Sequence, residues 1–204
     1  MRKPLLLIVL HALLFASCGG GRQVATRFYV LEFPDGGSVA AEQGLSPLPG
    51  SGLIERPAMH QAFSTHQIAL REDSYEIRYF SFNEWASRPD QSLSAMMLTF
   101  FREFPAFDQG VSMTETEGTR FRIETHVPRL EVIQVRNDFH ARLDVEFRLV
   151  ELPGGEVLHT HDARRQQPLR QRNLNLFAQA VSEMFVEELH VFANGMLRQA
   201  ASAE

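Results

Sequence analysis

The sequence predicts an α+β domain in which a largely antiparallel β-sheet is covered by two amphipathic helices. Two stretches, residues 89–104 and 173–198, repeat apolar side chains at the spacing of a helix. Several other stretches alternate apolar and polar residues, which is the pattern of strands with one buried face. Strands and helices do not alternate regularly along the chain, so a doubly wound parallel sheet is not expected.

The first third of the folded part predicts short strands and one long loop. Residues 27–33 are aromatic and β-branched and end at a Pro-Asp-Gly-Gly turn, which predicts a first strand. Residues 34–57 carry Gly, Ser and Pro without periodicity and predict a loop that holds no site. Residues 65–70 and 75–82 predict two strands joined by a polar turn, the second with alternate residues from Tyr75 on its apolar face.

The first helix follows the second of these strands. Ser87 is expected to cap a helix that Pro89 begins, because serine caps helix starts and proline is tolerated in the first turn. We expect Trp85 to pack where the strand meets this helix. The second helix carries an apolar stripe from Leu174 to Met196.

The longest strands lie between the helices. Residues 121–135 hold their apolar positions at odd numbers until Pro128 and at even numbers after it, so a bulge or bend is expected there. Residues 139–149 alternate strictly and predict a strand with one core face. After a Pro-Gly-Gly turn, residues 156–165 are expected to return as its antiparallel partner.

The start of the chain predicts how the protein is held. Arg2 and Lys3, the apolar run over residues 5–15 and the small residues before Cys18 predict a lipoprotein signal peptide over residues 1–17. The apolar run is too short to cross a bilayer, which needs about 20 residues. We expect Cys18 to be acylated; the alternative is ordinary secretion with Cys18 left as a free thiol.

Beyond the signal, the sequence predicts a tether over residues 18–26 and one domain over residues 27–204. In lipoproteins of the enterobacterial type, an Asp directly after the acylated cysteine favours retention in the inner membrane. Gly19 occupies that position here, which favours the outer membrane.

Charge and composition exclude several classes of function. Without Arg2 and Lys3 the 20 basic residues become 18 against 25 acidic ones, which gives a net charge of about −7. Nucleic-acid binding depends on neutralising phosphates, so no nucleic-acid partner is expected. Lys3 is the only lysine and Cys18 the only cysteine, so the mature chain offers no Schiff-base or phosphate-loop lysine.

No residue pattern predicts a catalytic centre, a metal or a cofactor. His159 and His161 share one strand face, as metal ligands do, but the sequence fixes no third ligand, and His140 belongs to a polar strand face. An exposed polar face is the expected alternative. The sequence holds no nucleophile elbow, zinc-protease helix motif or phosphate loop. The adjacent Glu187 and Glu188 are expected to be solvated.

Arginines cluster between the last strand and the second helix, at Arg164, Arg165, Arg170 and Arg172. Guanidinium groups bind phosphate and carboxylate bidentately, so these four residues are candidates for contact with lipid headgroups or an acidic partner. A connector without a binding role is the alternative.

Several features occur together in a recognisable order. They are the site around Cys18, the Phe28-Tyr29-Val30-Leu31 strand, the two strands over residues 67–79, the segment Phe82-Asn83-Glu84-Trp85-Ala86-Ser87-Arg88-Pro89 before a helix, the strand over residues 143–149 and the final helix. In these the chain resembles the ABC-type transport auxiliary lipoproteins, the family of the paraquat-inducible intermembrane transport lipoprotein. It departs from them at Phe15, where Leu is more usual, and in the insertion over residues 34–57.

The resemblance implies a lipid-anchored protein on the periplasmic face of the outer membrane. It implies partnership with an ABC transporter permease and ATPase and with a mammalian-cell-entry (MCE) domain protein, which move phospholipid or other apolar molecules between membranes. Its own role would be non-catalytic docking, and a ring of subunits is compatible with that role. Two other classes stay open: an envelope-assembly lipoprotein that binds only proteins, and a lipid-anchored hydrolase.

Overall fold

The computed structural model describes residues 25–34, 39–72 and 75–203. In these ranges the strands are β1 (Arg27–Tyr29), β2 (Ser51–Ile54), β3 (Ala58–Met59), β4 (Gln67–Arg71), β5 (Ile77–Trp85), β6 (Val111–Ser112), β7 (Thr119–Val135), β8 (Asp138–Glu151) and β9 (Glu156–Leu169), and the helices are α1 (Pro89–Glu103) and α2 (Leu174–Ala203). The predicted α+β class and both helices are confirmed.

Strand β7 is the centre of one mixed sheet. Along one edge it pairs with β8 in antiparallel orientation, and β8 pairs with β9 in the same way. Along its other edge β2, β3 and β4 lie parallel to successive parts of β7. Beyond β4 come β5, which is antiparallel to β4, and then β1, which is parallel to β5. The longest ladders are antiparallel, so the sheet is largely antiparallel, as predicted.

The predicted irregularity at Pro128 is a β-bulge. His126 of β7 pairs with Glu146 of β8, and Arg129 pairs with Asp144, so the two residues between them on β7 lie opposite one residue of β8. Such an insertion reverses which positions of the strand face the core. Ile123 before the bulge and Leu130 after it are therefore both buried.

Both helices cover the same face of the sheet. Phe147 of β8 packs against Phe185 and Phe192 of α2, with ring centroids 5.6 and 5.3 Å apart. The Thr125 hydroxyl, beside Phe147 on the same face, lies 3.4 Å from the Met97 sulfur of α1. Complete burial of a side chain of this size contributes about 1.5–3 kcal/mol. This layer of aromatic side chains therefore contributes most to holding the helices against the sheet.

Trp85 is buried between the strand and helix layers, as predicted, and its ring lies 5.6 Å from that of Phe177 of α2. The expected helix cap is wrong. Arg88 is the N-cap of α1 and makes no capping hydrogen bond with its side chain. The Ser87 hydroxyl instead lies 2.7 Å from that of Ser92.

The prediction of an uninterrupted loop over residues 34–57 is wrong. Its last part forms β2, which lies between β6 and β7 in the sheet. A Cβ on Gly52 would lie 2.7 Å from the Phe107 ring, so only glycine allows this close packing. The sequence signal was weak because a four-residue strand containing glycine shows almost no alternation.

The predicted apolar face of β5 is also wrong. Tyr75 precedes the strand and is fully exposed, and Tyr79 is 37% exposed. The register between β4 and β5 is interrupted between Gln67 and Ala69. Strand β1 pairs only with the last three residues of β5. Together with the interruption, this leaves the first part of β5 at an open edge of the sheet.

Candidate functional site

The chain segment that follows the predicted tether lies along helix α2. The backbone amide of Glu32 donates a hydrogen bond to the Ser182 hydroxyl at 3.3 Å, and that of Glu42 donates to the Asn194 side-chain oxygen at 2.9 Å. Ser182 and Asn194 are buried, so these bonds satisfy polar groups inside the domain. The chain is thereby fixed to the helix at Glu32 and at Glu42. Cys18 itself lies outside the described residues.

A groove of about 540 Å³ separates this segment from the first turns of α2. Its walls include Phe28, Tyr29 and Phe33 on one side and Ala178 and Ser182 on the other. Phe28 is 62% exposed. The acidic residues Glu32 and Glu183 also line the groove.

Arg165 and His161 of β9 meet a buried carboxylate of α2. Arg165 donates to Glu188 through Nη1 and to Glu187 through Nη2, the latter at 2.8 Å. His161 Nε2 donates to the second oxygen of Glu188 at 2.7 Å. Glu188 is only 6% exposed. The hydrogen bond from Arg165 to Glu188 raises the pKa of the guanidinium above its usual value.

This cluster corrects two predictions. Glu188 is not solvated, although its neighbour Glu187 is. His159 and His161 face α2 and not solvent, because His161 pairs with the core residue Phe147 across the β8–β9 ladder. His140 lies on the opposite face, so the three histidines do not converge. Across residues 25–34, 39–72 and 75–203, no group of three metal-ligating side chains is present.

Arg164 lies on the other face of the sheet. It pairs across β8 with Asp144, which accepts hydrogen bonds from Arg142 at 3.1 Å and lies 3.7 Å from Arg129. On the same face Glu131, whose side chain is fully buried, lies 2.9 Å from Arg71. Buried carboxylates on this face are thus matched by arginines, as burial of charge requires.

Arg170 and Arg172 follow the end of β9 and are exposed. The Arg172 guanidinium lies over the Phe139 ring, 4.9 Å from its centroid, in a cation–π contact. The four predicted arginines are therefore not one cluster. Arg165 is an internal tie between sheet and helix, and Arg164, Arg170 and Arg172 remain candidates for binding at the surface.

No helix in the described part of the chain is both long enough and apolar enough to cross a membrane. The sequence could have indicated Glu188, because it lies four residues from both Met184 and Phe192 and so falls within the apolar stripe of α2. Nothing in the alternation of β9 indicated that its charged residues face a helix.

Comparison with solved structures supports the fold. A protein from Xanthomonas campestris is 12% identical and superposes with a TM-score of 0.68, covering 88% of this chain and 97% of its own. An uncharacterised protein is 11% identical with a TM-score of 0.62, covering 82% and 97%. The PelC dodecamer of Paraburkholderia phytofirmans, 11% identical and covering 86% and 95%, has a TM-score of 0.45, which is too low to support an inference.

The search of curated proteins finds no significant match. The model of one protein family matches residues 29–189, which include every strand from β2 to β9, all of α1 and the first half of α2. That family is described as the ABC-type transport auxiliary lipoprotein component. The chain belongs to the ABC-type transport auxiliary lipoprotein family.

Proposed function

We propose that this protein is a non-catalytic lipoprotein of the outer membrane that docks the periplasmic assembly of an ABC/MCE-type lipid transport system. The observation that carries the proposal is the family match over residues 29–189. The sequence pattern of the first seventeen residues, which predicts a lipoprotein signal, agrees with it. In this account Cys18 carries the acyl chains, residues 18–26 are the tether, and residues 27–204 form a single periplasmic domain.

The distribution of charge supports a docking role in preference to catalysis. The four buried carboxylates of the described residues, those of Glu131, Asp90, Asp144 and Glu188, are all engaged by arginines. A general acid or base needs a carboxyl group free to exchange a proton with a substrate. These ion pairs instead have structural roles: Glu131 joins two strands through Arg71, and Glu188 joins the sheet to α2 through Arg165.

The partners in this proposal are an MCE-domain protein and the permease and ATPase of an ABC transporter. The protein links their far end to the outer membrane and takes no cofactor. The alternative is an envelope-assembly lipoprotein that binds proteins without any role in lipid transport. The family match over residues 29–189 favours the first account, because the family name itself refers to ABC-type transport.

The test is a crosslinking pull-down from intact envelopes, comparing the wild type with Cys18→Ser. Gly21→Ser in the tether is the control, because it keeps the acylation site. We expect an MCE-domain protein to be recovered with the wild type and with the control, and to be lost or relocated with Cys18→Ser. Recovery of other outer-membrane proteins without an MCE partner would favour the alternative.

A further inference from the structure

Strand registers bring several connections of the chain to one end of the sheet. Arg71 at the end of β4 lies beside Ile77 at the start of β5 and beside Ile133 near the end of β7. The β4–β5 connection and the end of β7 therefore lie at the same end of the sheet.

The β7–β8 turn and the end of β9 lie at this same level. Val135 pairs with Asp138 across the turn, and Phe139 pairs with Leu169. We call this end of the sheet, formed by residues 75–79, 135–138 and 169–173, the anchor end. The opposite end lies at the β8–β9 turn, about 45 Å away along β8 at the usual rise of a strand.

The path of the chain directs the predicted tether toward the anchor end. β1 is parallel to β5, which runs away from the anchor end, and Arg27 lies beside Asn83. The chain therefore enters β1 from the side of the anchor end. Six residues of β5 separate Asn83 from Ile77, so Arg27 lies about 20 Å from the anchor end. The nine residues from Cys18 to Arg27 span at most about 30 Å, which is long enough to bring the anchor end to the bilayer.

Exposed apolar side chains concentrate at this end and on β1 and β5. Single exposed apolar residues are ordinary, but a group of them marks a contact surface. Tyrosine and other amphipathic aromatic side chains are stable at the boundary between headgroups and acyl chains. At the anchor end the group comprises Tyr75 (101% exposed), Tyr79 (37%) and Val135 (54%), while Phe82 (48%) and Phe28 (62%) lie further along β5 and β1.

Exposed arginines are present at this end although the mature chain is acidic. Glu72 is paired with Arg78 at 2.7 Å. The other exposed acidic residues described at this end are Glu76 and Asp138, and the sequence also has Asp73 between β4 and β5. Guanidinium groups bind phosphate oxygens through two parallel hydrogen bonds. The arginines are Arg136, Arg170 and Arg172.

We propose that the anchor end is a bilayer-contact surface, whose arginines bind phospholipid headgroups and whose aromatic side chains enter the interfacial layer. The inference rests on the acylation of Cys18 in the proposed function. The two predicted arginines Arg170 and Arg172 thereby gain a specific ligand, the phosphates of the membrane that holds the anchor. The domain stands on the bilayer with its long strands pointing away from it.

The first test uses the acylated full-length protein in vesicles of phosphatidylethanolamine and phosphatidylglycerol. Acylation of Cys18 leaves no free thiol, so Val135→Cys and Val157→Cys can each carry one fluorescent label. Both valines are exposed ends of strands, at the anchor end and the opposite end respectively. Because interfacial groups lie within the headgroup and acyl boundary, quenching by nitroxide lipids should be about threefold or more stronger at position 135.

Equal quenching at the two positions would overturn the inference. Protection of the label at position 135 in detergent without lipid would also overturn it, since a second copy or another protein would then cover this surface. If the protein is acylated and quenching is equal at the two positions, this inference fails but the proposed transport role stands. If the mature protein carries no acyl chains on Cys18, both this inference and the proposed function lose their premise.

The second test uses the mature chain with Cys18→Ser, so that binding depends on the domain alone. Arg136→Ala combined with Arg170→Ala should weaken cosedimentation with phosphatidylglycerol vesicles about tenfold, since each basic residue contributes to binding at an anionic surface. Arg102→Ala, at the end of α1, is the control and should change nothing. Equal binding by the double variant and the wild type would contradict the proposal.

Discussion

Arg165 of β9 and Glu188 of α2 form an ion pair that joins the sheet to the helix. His161 completes the hydrogen bonding of the same carboxylate. Glu188 is thus a buried charge whose cost of burial is offset by two donors on one strand.

Removal of this carboxylate should destabilise the protein. We expect Glu188→Ala to lower the free energy of unfolding by about 2 kcal/mol, because Arg165 and His161 lose a buried partner. Glu187→Ala, whose side chain is 60% exposed, should cost less than about 0.5 kcal/mol. Urea denaturation measures both, and equal losses would show that Glu188 does not act as a buried tie.

The aromatic layer under α2 should dominate stability. Phe147 has no exposed surface and contacts two phenylalanines of α2, so Phe147→Ala should cost about 3–5 kcal/mol. Phe82→Ala removes a ring that is 48% exposed and should cost about 1 kcal/mol or less. Thermal and urea unfolding would contradict this description if the two losses were similar.

Replacement of Gly52 by any residue with a side chain should destabilise the protein. Its Cβ would lie 2.7 Å from the Phe107 ring, so Gly52→Ala should cost about 1–3 kcal/mol through overpacking. Gly154→Ala meets no atom within 4 Å and provides the matched control. Unfolding of the two variants in urea should separate them, and a neutral Gly52→Ala would mean that β2 packs more loosely than described.

The β7–β8 turn contains a residue in an unfavourable backbone conformation. Arg136 has a φ of 57°, which glycine adopts without cost, so Arg136→Gly should stabilise the protein by about 0.5–1 kcal/mol. Asn137→Gly, the neighbouring change, should destabilise the protein slightly. Glycine there increases the conformational freedom of the unfolded chain without relieving strain in the folded state. A lower melting temperature for Arg136→Gly than for Asn137→Gly would refute this.

The sequence predicts most of the architecture because long strands and helices contain long, regular patterns of apolar residues. The bulge at Pro128 could be read from a change of parity along β7, and both helices from their apolar stripes. The short strand β2 could not, since its burial is imposed by β6 and β7 on either side. The role of Arg165 was hidden for a related reason: its partner lies on an element 23 residues away.

The most direct test of the docking role places a photoreactive residue at either end of the sheet in living cells. Met113 is 42% exposed and follows β6, which lies near the start of β7 at the end away from the anchor, whereas Tyr75 lies at the anchor end. We predict adducts with an MCE-domain protein from position 113 and lipid adducts from position 75. Adducts with other outer-membrane proteins, and none with an MCE-domain protein from either position, would contradict the account.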